Sequence, residues 1–285
     1  MGIYFLSVLL YALRLKIVLK RIGIHIGVFD AVAAHLLTVT VNNLTPSAKT
    51  GGEVARAAYV YAKTRASLAN IATAIAFERL SEAFPVTALA LIALYAALVA
   101  HSVNIYVVAA VALPIAGVLL GFKYWDKLMD YVLRKSEQLG FIAVDESEEL
   151  ASLRKLMGDY PLLLAAVALS TAVWVLDIIR LYVIGLAVGW RAPFFRFMLL
   201  SILYLIIGLF AITPGGLGIV EGGLTAALVA LGAPTDKAIA ITIIERLISY
   251  AIATLIGGLV ATFTGGWHAW RLLRSRWRRT GSIQK

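Results

Sequence analysis

The chain contains no cysteine, which excludes a disulfide framework and any thiolate nucleophile or metal ligand. Charge is scarce: Asp, Glu, Lys and Arg make up 15% of 285 residues, against 61% hydrophobic. An ordinary soluble domain is about half apolar and about a quarter charged. Histidine is limited to His25, His35, His101 and His268, scattered without metal-ligand spacing, so no metal and no cofactor is expected. No nucleotide-binding P-loop, zinc-protease helix or serine-hydrolase elbow occurs, so the sequence encodes no ATP engine and points to no catalytic residue. Gly216, Gly218 and Gly222 approach a dinucleotide fingerprint, but the spacing is off by one and no strand precedes them.

What is abundant is apolar sequence in long runs, with a mean hydropathy of +0.88. Such runs are the signature of transmembrane helices. The expected fold is all-α: a polytopic transmembrane helical bundle forming one integral membrane domain over residues 1–285. Helices are expected over about 3–19 (with the basic residues from Arg14 onward snorkelling), 28–44, 66–100 (kinked at Pro85), 103–122, 160–188, 194–212 and 236–263. Asn42, Asn43 and Pro46 stop the second run, and Thr213-Pro214-Gly215-Gly216 stops the sixth. A short apolar piece follows each stop, over 51–62 and up to residue 231. Residues 123–159 are charged and read as an amphipathic connection on the membrane surface, or as a solvated linker.

The net charge of +10 is concentrated in the tail, 267–285, with Arg271, Arg274, Arg276, Arg278, Arg279 and Lys285. A basic tail beside an apolar span faces anionic lipid on the cytoplasmic side, and no folded nucleic-acid reader accompanies it. The expectation is a multi-pass cell-membrane protein with a cytoplasmic C-terminal tail. The loop after the first helix and the turn carrying Arg191 and Arg196 are placed on the same side. Neither a signal-peptide charge pattern nor a cleavage site begins the chain.

The two breaks echo each other. Thr45-Pro46 is followed by Gly51, Gly52 and Glu53, then by Glu78-Arg79-Leu80. Thr213-Pro214 is followed by Gly215, Gly216, Gly218 and Glu221, then by Glu245-Arg246-Leu247. These are expected to be two re-entrant, broken helical segments forming an internal repeat, with unit one about 42–100 and unit two about 210–264. Paired interrupted segments point to a transporter's substrate site. The orientation above has both enter from the outer face, related by a pseudo-twofold axis.

Charges inside apolar sequence cost about 2.5–3.5 kcal/mol each on insertion scales. Glu53/Arg56 and Asp177/Arg180 sit three residues apart and share a helix face. Glu78/Arg79 and Glu245/Arg246 are adjacent and diverge by about 100°, so each of those residues needs a partner elsewhere. Arg79 and Arg246 are each expected to contact an acid from another helix. Glycine-rich turns opening a helix offer unpaired N–H groups to an anion, or simply permit a sharp turn. Arg-carboxylate pairs that lock helices together are the plain structural alternative.

The segments Asn42-Asn43-Leu44-Thr45-Pro46, Gly51-Gly52-Glu53, Glu78-Arg79-Leu80 and Pro214-Gly215-Gly216-Leu217-Gly218-Ile219-Val220-Glu221-Gly222 together resemble the lysylphosphatidylglycerol synthase transmembrane region, the flippase-like domain of the multiple peptide resistance factor. The resemblance implies lipid translocation without the synthase domain, and hence no aminoacylation by these residues. It also implies that a further N-terminal helix is usual before the first one seen here. The expected function is a flippase or scramblase moving a phospholipid, an aminoacylated phospholipid or a polyprenol-linked sugar. The expected partners are membrane lipids and, in one alternative, a separate glycosyltransferase or lipid-modifying enzyme that this chain scaffolds. A membrane enzyme acting on lipid head groups is the other alternative. The residues expected to line the route are Asn42, Asn43, Gly51, Gly52, Glu53, Arg56, Glu78, Arg79, Asp177, Arg180, Pro214, Gly215, Gly216, Gly218, Glu221, Glu245 and Arg246. Arg56 is expected to hold a phosphate, and the two glutamates at the breaks a cationic amine, in a cavity open to the outer side.

Overall fold

A computed structural model describes residues 1–45, 50–100, 105–123 and 146–265. The first break at Pro46, the residues 124–145 and the basic tail lie outside them. All described elements are helical: α1 (Gly2–Arg21), α2 (Val28–Leu44), α3 (Thr50–Thr64), α4 (Leu68–Val99), α5 (Ile105–Lys123), α6 (Glu146–Met157), α7 (Tyr160–Ala187), α8 (Phe194–Phe210), α9 (Ile219–Ala230), α10 (Thr235–Arg246) and α11 (Ala253–Phe263). A 3-10 turn, Pro214–Gly216, lies between α8 and α9, and a π-helical segment, Leu247–Ile252, joins α10 to α11. α4 runs through Pro85 as a single helix of 32 residues.

Gly2–Arg21, Leu68–Val99, Tyr160–Ala187 and the continuous Thr235–Phe263 are long and apolar enough to cross a bilayer. Their outward positions carry large apolar side chains, such as Leu164 at 69% and Leu255 at 68% exposure. In water such a surface would drive aggregation; in hydrocarbon it is the solvated face.

Between helices in lipid, close packing replaces the hydrophobic drive, and small residues permit it. A Cβ on Gly52 of α3 would fall 2.4 Å from the Thr38 carbonyl oxygen of α2. On Gly257 of α11 it would fall 2.6 Å from the Leu36 carbonyl oxygen. Both helices therefore lie directly on the α2 backbone.

The directions of the helices follow from their contacts. α1 and α7 run antiparallel, since Ser7 meets Asp177, Arg14 meets Ser170 and Arg21 meets Asp159. α2 and α3 form a hairpin: Tyr59 and Lys63 reach Asp30 at its open end, and the Gly52 N–H donates to Asn42 Oδ1 (2.8 Å) near its tip. α8 and α9 form a second hairpin: Arg196 reaches the Leu231 carbonyl at the open end, and Gly223 packs against Ile207 further in. The two tips touch, because a Cβ on Gly215 would fall 2.7 Å from the Asn43 carbonyl oxygen.

This register corrects the expected orientation. Because α7 is antiparallel to α1, the α7–α8 turn lies at the opposite end of the bundle from the α1–α2 loop. The three basic connections therefore do not share one side. Arg196, at the start of α8, caps the end of α9 through the Leu231 carbonyl (2.9 Å), and Lys237 of α10 donates to the Gly189 carbonyl in the turn (2.6 Å).

Candidate functional site

Two clusters of ion pairs sit inside the bundle. In the first, Glu78 of α4, fully buried, is held between two guanidinium groups: Arg14 Nε at 3.0 Å and Arg56 Nη1 at 2.9 Å. Arg56 Nη2 also lies 2.5 Å from Glu53 Oε2, as an ion contact without hydrogen-bond angles. The other oxygen of Glu53 accepts from Arg79. Arg79 donates in addition to Glu82 Oε2 (2.8 Å), whose partner oxygen accepts from Tyr11 and Trp174 (3.3 Å each).

The second cluster repeats this plan. Glu245 of α10, fully buried, is bound by Arg180 of α7 through two bonds, Nε at 3.1 Å and Nη2 at 2.9 Å. Arg246 Nε donates to Glu221 Oε1 (2.7 Å). Arg180 Nη1 also donates to Asp177 Oδ1 (2.7 Å).

Arg79 and Arg246 thus each contact an acid from another helix, as expected, and the adjacent glutamates turn elsewhere. Sequence reasoning missed Arg14. It was assigned to the snorkelling end of the first helix, yet it is 1% exposed and central to the first cluster. The signal was available: Arg14/Arg180, Glu53/Glu221, Glu78/Glu245 and Arg79/Arg246 all correspond at an offset of 166–168 residues. Arg14–Glu78 spans 64 residues and Arg180–Glu245 spans 65; Arg79–Glu53 spans 26 and Arg246–Glu221 spans 25. Counting Arg14 also changes the charge balance. With Arg14 counted, Glu53, Glu78, Glu82, Asp177, Glu221 and Glu245 face Arg14, Arg56, Arg79, Arg180 and Arg246, leaving one excess negative charge; without Arg14 the excess would be two.

The turn at Pro214 explains its glycines. Gly215, Gly216 and Gly218 adopt φ of 58°, 71° and 82°, conformations that favour glycine. Glu221 reaches back to accept from the Gly218 N–H (2.6 Å), and Arg246 Nη2 donates to the Gly215 carbonyl (2.8 Å). Of the two readings of the glycine-rich turn, an anion site or a sharp turn, the Gly218 N–H serves no anion, because this carboxylate caps it. Asn43, at the other tip, donates to Thr254 Oγ1 (2.8 Å) and to the Ser249 carbonyl (3.4 Å) within the π-helical segment. A π register frees a carbonyl from its usual helical donor, and here the Asn43 amide takes it up.

The expected site residues divide by access. Arg79 (48%), Glu221 (33%) and Glu53 (21%) keep exposed side-chain surface. Arg56, Glu78, Arg180 and Glu245 are buried among partners. Gly52 serves the α2–α3 contact and Gly51 is half-buried beside it.

The family model of the lysylphosphatidylglycerol synthase TM region matches residues 1–257. The chain is 25% identical over 280 residues to a UPF0104 membrane protein of Pyrococcus horikoshii, covering 90% of this chain and 83% of that one. It is 25% identical over 280 residues to a UPF0104 membrane protein of Methanothermobacter thermautotrophicus, covering 92% and 83%. A further such protein, from Methanocaldococcus jannaschii, is 25% identical over 285 residues, covering 88% and 79%. No solved structure matches this chain. With its apolar spans, its paired clusters and a family match over most of its length, the chain is a multi-pass membrane protein that belongs to the lysylphosphatidylglycerol synthase transmembrane-region family.

Proposed function

We propose that the protein moves a lipid head group across the membrane without changing it, by a route that runs where the tips of the α2–α3 and α8–α9 hairpins meet. The observation that carries the reading is the touching of these tips beside two partly exposed ion pairs, Arg79–Glu53 and Arg246–Glu221. A polar head group crosses hydrocarbon at low cost only where fixed charges and dipoles replace its water. Arg79 is the exposed guanidinium, and its planar fork suits a phosphate. Glu53 and Glu221 suit an amine or hold water in the route. Arg56, between Glu53 and Glu78, reaches a head group only if these pairs open.

In this reading the hairpins are re-entrant and enter from opposite faces, not from one. Units α1–α4 and α7–α11 are then inverted repeats, related by a pseudo-twofold axis in the membrane plane. The support is that α1 and α7, which carry the matching Arg14 and Arg180, run antiparallel. Helices exchanged by an axis along the membrane normal run parallel. Inverted repeats supply two equivalent states, open to either side, which is how many transporters alternate access.

The test is reconstitution of the purified protein in liposomes with a fluorescent phospholipid in one leaflet. Transfer of unchanged lipid supports the proposal. A new lipid product identifies an enzyme. Neither outcome, with a lipid-modifying enzyme co-purifying, identifies a scaffold.

A further inference from the structure

The two clusters share a plan but differ in charge. In the first, one buried carboxylate, Glu78, sits between two guanidinium groups. In the second, one guanidinium, Arg180, sits between two carboxylates, Asp177 and Glu245. The position that corresponds to Arg56 is Leu224, fully buried and apolar. The position that corresponds to Asp177 is Tyr11. The first cluster, with Glu53, Glu78 and Glu82 against Arg14, Arg56 and Arg79, is neutral. The second, with Asp177, Glu221 and Glu245 against Arg180 and Arg246, has one negative charge left over.

The geometry points to Asp177 as a proton-binding site: the Asp177–Arg180–Glu245 triad holds one exchangeable proton on Asp177, and its loss and uptake are coupled to lipid movement. The coupling rests on the transport reading above; the proton site does not. Glu245 takes two bonds from Arg180 with no surface exposed, so it is the carboxylate that keeps the charge. Asp177 takes one bond from Arg180 and one from Ser7 (3.4 Å), both on Oδ1. The proton sits on Oδ2. Asp177 also keeps 26% of its side-chain surface exposed, so it is the less enclosed of the two carboxylates.

The helices around it bring no second cation, among the described residues. α1 presents Ser7 and the phenols of Tyr4 and Tyr11 toward it. α4 presents Glu82, a further negative charge. α8 presents the phenol of Tyr204 near Arg180, and α10 presents Glu245. The cations that accompany Glu82 are engaged elsewhere, Arg14 with Glu78 and Glu82 and Arg79 with Glu82 and Glu53, and Arg246 is bound to Glu221. A second carboxylate that must share one guanidinium in this low-dielectric setting is costly when charged, and binding one proton removes that cost. The proton enters from water as the triad becomes neutral and leaves to water as Asp177 becomes a carboxylate, so charge and atoms balance.

Two measurements test this on the purified full chain. Infrared difference spectra over a pH titration should show a protonated-carboxyl C=O band that shifts with isotope-labelled aspartate and not with isotope-labelled glutamate, disappears in Asp177→Asn, and moves to lower pH in Glu245→Gln, where Arg180 serves one carboxylate alone. In liposomes, a transmembrane pH gradient should change the rate of lipid transfer by the wild type and leave Asp177→Asn unaffected. A band retained in Asp177→Asn overturns the proton site, whatever transfer does. A wild-type transfer rate indifferent to the gradient overturns the coupling while leaving transport standing. If the wild type transfers no lipid at all, the coupling and the transport reading fail together, and the infrared titration still decides the proton site.

Discussion

Removing Arg180 should cost more stability than removing Arg14, although both are buried arginines at corresponding places. Deleting one partner of a buried pair costs about 3–5 kcal/mol, because the remaining charge is left uncompensated. Arg180→Ala strips Glu245 of both its arginine bonds and Asp177 of its only cation. We expect a loss near the upper end of that range, about 5 kcal/mol. Arg14→Ala leaves Glu78 with Arg56 at 2.9 Å and leaves Glu82 with Arg79, Tyr11 and Trp174. Its cost should then be that of lost charged hydrogen bonds, about 1.5–3 kcal/mol. The loss of arginine's apolar stem is common to both variants. The assay is equilibrium unfolding in mixed micelles with increasing SDS, followed by tryptophan fluorescence. Adding Glu245→Gln to Arg180→Ala should recover part of the loss, since it removes the stranded charge. Equal costs for the two arginines, or no recovery in the double variant, would refute the electrostatic reasoning.

Gly257→Ala should destabilise by about 1–3 kcal/mol through overpacking, since its Cβ would meet Thr40 Oγ1 at 2.2 Å and the Leu36 carbonyl at 2.6 Å. Gly258→Ala, with nothing within 4 Å, should cost nothing in the same unfolding assay and serves as the control. At the end of α1, the bond from Arg21 holds the Asp159 carboxyl below the ordinary aspartate range. The folded form is therefore the stronger acid, so the stabilisation is present above that range and is lost as pH falls through the lowered folded value. Unfolding measured from neutral pH to below about pH 4 should show less acid dependence in Asp159→Asn than in the wild type; identical profiles would show that the bond contributes nothing.

Most of the helices were legible because a long apolar run leaves little choice: the expected span 160–188 is observed as Tyr160–Ala187, and 28–44 as Val28–Leu44. The ion pairs within a helix were legible for the same reason, since three-residue spacing fixes a shared face. Arg14 was lost because a basic residue near the end of a short apolar run reads equally as a snorkelling end or a buried ion. Only the contact with Glu78, 64 residues away, separates the two. Orientation was misjudged because counting lysine and arginine treats each as a topology signal, whereas Arg196 is spent on a helix end. The self-capping of Gly218 by Glu221 was also hidden. The spacing alone is compatible with a carboxylate that folds back or one that faces a ligand.

The central claim is tested most directly by measuring lipid transfer and unfolding on the same purified variants, Arg79→Gln and Glu221→Gln. Both substitutions remove a charge from an accessible ion pair, and glutamine at 221 retains an oxygen to accept from the Gly218 N–H. The account predicts that each slows transfer by about tenfold or more, about 1.4 kcal/mol on the barrier, while unfolding shifts by less than that. Wild-type transfer rates in both variants would contradict it, and would make these pairs fastenings of the bundle with no part in a lipid route.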